Sequence, residues 1–252
     1  MDTDVKDTLR ELVIALADDE LILGHRDSEW CGHAPILEED IAFANLALDE
    51  IGHANLWYSL LAGLEGEDPQ AYADRLAFWR DAQDFRNAQL VELPNGDWAF
   101  TILRQYLFDS AETERLEVLV GSKYVPLAQT AAKIRTEELY HLRHTSAWVR
   151  RLGLGTVESH QRLQAALDQL WPYTSQLFEL PGDPLITQNL GIHLPKARQS
   201  WQARVVPLLN ESQLTLPTGP ELTLNRQGHT PYLPVLLSEM QSVARLDPEA
   251  EW

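Results

Sequence analysis

Two glutamate–histidine pairs with one spacing stand out in this sequence. Glu50 and His53 lie in DEIGHANLWY (49–58), and Glu138 and His141 lie in RTEELYHLRH (135–144). Residues at i and i+3 share a helix face, and a carboxylate and an imidazole there can ligate one cation. Both pairs interrupt runs that otherwise read as apolar-faced helices, where a buried charge is costly unless something compensates it. A single pair carries little weight. With 21 glutamates and 8 histidines in 252 residues, chance supplies roughly two-thirds of such a match. Here there are two, and each follows a further acid, giving Asp49-Glu50-x-x-His53 and Glu137-Glu138-x-x-His141. Two solvated faces with incidental histidines would leave the same doublets.

The spacing of other acids separates these readings. Ferritin-like di-iron bundles take one carboxylate from each of two helices and a Glu-x-x-His from each of the other two. Glu20 precedes Glu50 by 30 residues, and Asp109 precedes Glu138 by 29. In an antiparallel hairpin, residues at one height are equidistant from the turn. The midpoint of the first pair is Pro35, at the end of WCGHAP, and that of the second lies inside GSKYVP. Each arm of about 14 residues spans about 21 Å, so six ligands could meet at one level. Glu50 and Glu138 would bridge two irons, His53 and His141 would be terminal ligands, and Glu20 and Asp109 would each complete one metal. Asp49 and Glu137 suit a role behind the ligands, hydrogen-bonding the histidines across the bundle, Asp49 to His141 and Glu137 to His53. The competing reading keeps the residue types with the site salt-bridged and empty.

The elements that must position these groups read as helices nearly throughout. Apolar spacing of period 3.6 marks 5–28, 37–63, 71–91, 98–120, 125–152 and 157–179. Gly- and Pro-rich breaks fall at WCGHAP, EGEDP, LPNGD, GSKYVP and LGLGT. Asp97 suits a helix N-cap. Beyond ELPGDP the pattern weakens to a loop over 180–195, a helix over 195–211, a loop with a short hairpin in LTLPTGPELTL, and a terminal helix over 232–245. The simplest organisation is one all-α domain over 1–252: a ferritin-like four-helix bundle, with the 71–91 helix in the crossover and a helix and loop extension from about 157.

Composition limits the partners. The net charge of −18 argues against binding nucleic acid or anionic membrane, both of which need basic patches. One cysteine, Cys31, allows no intrachain disulfide and fits a reducing compartment; beside a turn it reads as a buried apolar filler. No apolar run reaches the roughly 18 residues of a membrane span, and the acidic N-terminus lacks the features of a signal peptide. A cytoplasmic location is expected. Thr113, one turn after Asp109, reads as a helix-lining threonine, and some di-iron oxygenases use a hydroxyl there. His144 reads as surface or outer sphere, and His33 as a buttress of the first turn. Trp57, Tyr58, Tyr106 and Phe108 should line the helices near the motifs.

At these residues the chain resembles a known family. EWCGHAPILEEDIAFANLALDEIGHA, LVELPNGDWAFTILRQYLFD, YHLRHTSAWVRRLG and the closing LLSEM are similar to the C-type subunits of bacterial phenylacetyl-CoA epoxidase complexes, monooxygenases of aerobic phenylacetate degradation. The resemblance covers most of the chain. It implies a ferritin-like bundle that pairs with a catalytic di-iron A subunit, in a complex with a small B subunit and an iron–sulfur flavin reductase. It also implies a structural role with a degenerate metal site. The sequence departs from that last pattern, because all six ligand positions carry Glu, Asp or His. Three readings stay open: a C-type subunit, a di-iron oxygenase or oxidase active by itself, and a ferritin-like iron-storage or peroxide-scavenging protein. The long helical tail speaks against the storage shell, and exposed apolar helix faces should make the protein a homo- or hetero-oligomer.

Overall fold

The computed structural model of the protein describes residues 2–181, 184–219, 222 and 224–248. Among them the secondary structure is helical, with no strand. In chain order the helices are α1 (Thr3–Ser28), α2 (Leu37–Glu65), α3 (Pro69–Phe78), α4 (Gln89–Glu92), α5 (Trp98–Val120), α6 (Val125–Gly153), α7 (Val157–Leu170), α8 (Leu185–Leu190), α9 (Leu194–Glu211), α10 (Tyr232–Met240) and α11 (Ser242–Leu246). Short 3₁₀ turns cover Ala82–Asp84 and Trp171–Phe178. The fold is all-α and of the expected ferritin-like class. No helix among the described residues is long and apolar enough to cross a membrane.

Local chemistry sets the ends of the long helices. Asp97 caps α5, its carboxylate accepting the Phe100 N–H at 3.0 Å, as its position after Asn95-Gly96 predicts. Asp68 does the same for α3 through the Ala71 N–H, 3.0 Å away. Gly66 closes α2 at φ 77°, a left-handed conformation that other residues adopt only at a cost.

The described residues fall into two compact units. The unit of residues 9–94 and 225–252 is built on α1 and α2, which run antiparallel. Arg10 donates to Glu65 at 2.8 Å near one end, and Tyr58 donates to Asp18 at 2.6 Å further in. Near the other end, a Cβ on Gly24 would come within 3.0 Å of Glu50 Cβ and Ile51 Cγ1. On α2, Leu37, Ile41, Leu48 and Ile51 form an exposed apolar stripe at helical spacing.

The crossover differs from the single helix expected over 71–91. α3 stops at Phe78, and the chain continues through a 3₁₀ turn to the short α4. The cause is a pair of buried acids. Asp18 takes both terminal nitrogens of Arg80, at 2.9 and 2.5 Å, together with the Arg86 N–H at 2.8 Å. Asp19 takes the Ala88 N–H at 2.7 Å and the Arg226 guanidinium at 2.9 and 3.1 Å. Backbone donors that a helix would use internally are held by carboxylates of α1 instead. The expected helix over 232–245 is likewise broken at Gln241, whose side-chain amide donates to the carbonyls of Ala77 and Arg80.

The unit of residues 1–8 and 95–224 is centred on α5. Residues 101–116 are buried on every face, a pattern of a core helix rather than an amphipathic one. α6, α7 and α9 pack on it. Its charges are answered internally: Glu112 pairs with Arg115, and Arg115 donates to the Leu177 carbonyl at 3.0 Å. The helix expected over 157–179 tightens to 3₁₀ at Trp171, where Pro172 lacks the N–H an α-helix needs. The loop expected over 180–195 contains the short α8, closed by Gly191 at φ 74°. Pro220, Glu221 and Thr223 of the expected hairpin lie outside the described residues, and the described ones there form no strand.

Removing one member of a buried ion pair costs about 3–5 kcal/mol, because the other charge stays buried. Asp18→Ala should therefore lower the unfolding free energy by about that much, measured by urea denaturation. The double variant Asp18→Ala/Arg80→Met should recover a substantial part of the loss. A loss below about 1 kcal/mol, the value of an exposed pair, would remove Asp18 from its central role.

Candidate metal centre

The six candidate ligands divide three and three between the units. In the first, α1 supplies Glu20, and α2 supplies Glu50 and His53. All three are buried. His53 Nδ1 lies 3.7 Å from Glu20 Oε2 and 3.9 Å from Glu50 Oε2. Each residue offers a ligand atom within 4.8 Å of the others. These separations are long for hydrogen bonds. Two donors each about 2.1 Å from a common ion stand about 3–4 Å apart, so the triad fits a cation. Gly24 makes the approach possible, because its missing side chain lets α1 lie against Glu50.

In the second unit, α5 supplies Asp109, and α6 supplies Glu138 and His141, all buried. His141 Nδ1 is 2.9 Å from Glu138 Oε1. The same ring atom faces a carboxylate in both units, as the matching i, i+3 geometry requires. Asp109 and His141 also offer ligand atoms within 4.8 Å of each other. Asp109 is oriented from both sides. Gln105 donates to Oδ1 at 2.8 Å, and Thr145 donates to Oδ2 at 2.7 Å. These two bonds fix the orientation of the carboxylate. Each unit thus carries two buried acids and a buried histidine, and those of the first unit lie close enough together to hold a metal.

Gln105, Thr145 and Gly24 escape a reading by ligand type. A signal for the first two is nonetheless present: Gln105 lies one turn before Asp109, and Thr145 one turn after His141, on the same faces. Asp49 and Glu137 are half-buried, as is His144. Thr113 is buried, and its hydroxyl makes no hydrogen bond. Trp57, Tyr58, Tyr106 and Phe108 are all fully buried. Burial, reinforced by the Asp18 carboxylate, pushes the Tyr58 hydroxyl well above its ordinary pKa and keeps it a neutral donor. Cys31 corrects the expectation of a buried filler: it is exposed, because 31–33 lie on the outside of the turn between α1 and α2. His33 buttresses that turn, with Nδ1 3.1 Å from the Cys31 carbonyl.

Two long helix pairs, each bearing a Glu-x-x-His and a buried carboxylate on the other helix, define a protein of the ferritin-like helical class. Comparison with known proteins gives the family. Residues 1–252 match the family described as phenylacetic acid catabolic protein, and the chain belongs to it. It is 40% identical over 248 residues to the C-type subunit of the 1,2-phenylacetyl-CoA epoxidase of Escherichia coli (strain K12), an alignment covering 97% of this chain and 99% of that one.

Gly24→Ala tests how the first triad is positioned. Alanine improves helix propensity by about 1 kcal/mol, but its Cβ would sit 3.0 Å from Glu50 Cβ. Overpacking of this kind costs about 1–3 kcal/mol. The variant should be no more stable than the parent in thermal unfolding, and should bind divalent metal more weakly. A more stable variant with parental metal binding would show that the close approach does not matter.

Proposed function

We propose that this chain is the C-type subunit of a multicomponent phenylacetyl-CoA epoxidase in the cytoplasm, acting in aerobic phenylacetate degradation beside a catalytic A-type subunit. The full-length kinship with the C-type subunit of a known epoxidase carries this reading. The exposed stripe of Leu37, Ile41, Leu48 and Ile51 on α2 supports it as a surface for a protein partner, since contiguous apolar faces seldom stay in water. The A-type subunit is the partner, and the iron–sulfur flavin reductase serves the complex indirectly.

The second part of the proposal is that Glu20, Glu50, His53, Asp109, Glu138 and His141 together hold two irons, with Asp49 and Glu137 behind the histidines. Two acids and one imidazole from each unit form a suitable donor set for such ions. A di-iron centre, when bound, supplies the capacity to react with dioxygen. The chain's own contribution is to fix and shield the ligands: Gln105 and Thr145 orient Asp109, and complete burial of Glu20, Glu50 and Asp109 excludes bulk water.

The test is to titrate iron(II) into the wild type, Glu20→Ala and Glu50→Ala, counting bound metal and recording melting temperatures. About two irons in the wild type, stabilisation on binding and a larger loss for Glu50→Ala than for Glu20→Ala are expected, since a shared carboxylate serves both ions. No uptake, with variants as stable as the parent or more so, would leave a purely structural subunit. Co-expression with an A-type subunit tests the pairing separately. A stable complex weakened by Leu48→Asp is expected, and only separate monomers would overturn the pairing.

A further inference from the structure

Between α6 and α9 runs a groove of about 210 Å³, floored by Tyr106 of α5 and lined by Ser146 and Arg150 from α6 and by Arg204, Pro207 and Glu211 from α9. The Tyr106 side chain is fully buried, and its hydroxyl has no hydrogen-bond partner. A buried hydroxyl left unmatched costs about 1–3 kcal/mol, and a phenylalanine would fill the same core space without that cost. The oxygen has no exposed surface, so a partner from outside reaches it only where the long Arg150–Glu211 contact above it gives way. Burial raises its pKa against the opposing pull of Arg204 and Arg150, so it stays a protonated donor.

The walls carry further donors. Arg204 gives Nε and Nη2 to Glu114, at 2.8 and 2.7 Å. This fixes the guanidinium and leaves Nη1 unbonded. Arg150 holds Glu211 only loosely, with Nε and Nη2 at 3.4 and 3.3 Å from one oxygen, and its Nη1 is also unbonded. Both pairs are partly exposed, so the Arg150–Glu211 contact can be exchanged at little cost. Two guanidinium groups and two hydroxyls thus line a groove of small-molecule size on a protein of net charge −18.

We propose that this groove binds a small oxyanion, a carboxylate or phosphate group, received by the hydroxyls of Tyr106 and Ser146 and by the guanidinium groups of Arg150 and Arg204. Guanidinium groups suit such anions because their planar N–H pairs match two oxygens at once. The incoming anion replaces Glu211 on Arg150, so Glu211 acts as a competitor for the site.

The test titrates the full chain with sodium phosphate and, separately, sodium acetate by calorimetry. Ionic strength is held constant with chloride, and a chelator is present so that no metal ion supplies an anion site. Saturable binding at one site in the millimolar range is expected, with the two anions competing; the tighter of the two identifies the phosphate or carboxylate source. Tyr106→Phe removes only an unpartnered hydroxyl, so its melting temperature without ligand should equal or exceed that of the parent. Its affinity for the preferred anion should fall about tenfold, the worth of one hydrogen bond to a charged group. Glu211→Gln should tighten binding by up to about fivefold. Absence of saturable binding of either anion would overturn the proposal, as would parental affinity in Tyr106→Phe.

Discussion

Three consecutive acids on one helix, Asp18, Asp19 and Glu20, are completely buried, and much of the unit they belong to is arranged to accommodate them. Successive helical residues point about 100° apart, so the three carboxylates must find three separate environments. Asp18 finds Arg80, Tyr58 and a backbone N–H. Asp19 finds Arg226 and a second backbone N–H. Each draws a distant part of the chain onto α1, the crossover in one case and the C-terminal segment in the other. Glu20 faces another acid and an imidazole.

The same logic continues around the crossover. Glu92, also fully buried, accepts from His229 at 2.6 Å and from the Thr230 N–H at 2.6 Å. His229 Nε2 lies 3.1 Å from the Phe85 carbonyl. The C-terminal segment is thus anchored by Arg226 and His229, three residues apart, each on a buried acid. Buried ion pairs of this kind are weak sources of net stability but strongly penalise any arrangement that separates them. They select one path for residues 79–92, whose sequence by itself would equally support a helix.

How far the fold was legible follows from whether its cause was local. α2, α5 and α6 begin and end within two residues of the periodicity reading, because caps, glycines and prolines at their ends act on neighbours in the chain. The crossover was misread for the opposite reason. Its path is set by Asp18 and Asp19, whose partners lie 62 and 207 residues away, and such pairs leave no mark on local apolar spacing. The gathering of candidate acids and histidines within each unit was legible because i, i+3 spacing and a shared turn are themselves local regularities. The register within the α5–α6 pair was only partly so. Equal distance from the turn pairs Asp109 with Glu138, whereas Asp109 contacts Thr145, two turns further along.

The third acid of α1, Glu20, sits in a different setting from Asp18 and Asp19. The neighbours of Glu20 on α2 are Glu50 and His53. Gly24 gives up side-chain packing so that α1 can lie close to Glu50. In the other unit, Gln105 and Thr145 hold Asp109 in one orientation. Buried acids gathered around a histidine in this way could hold a metal ion.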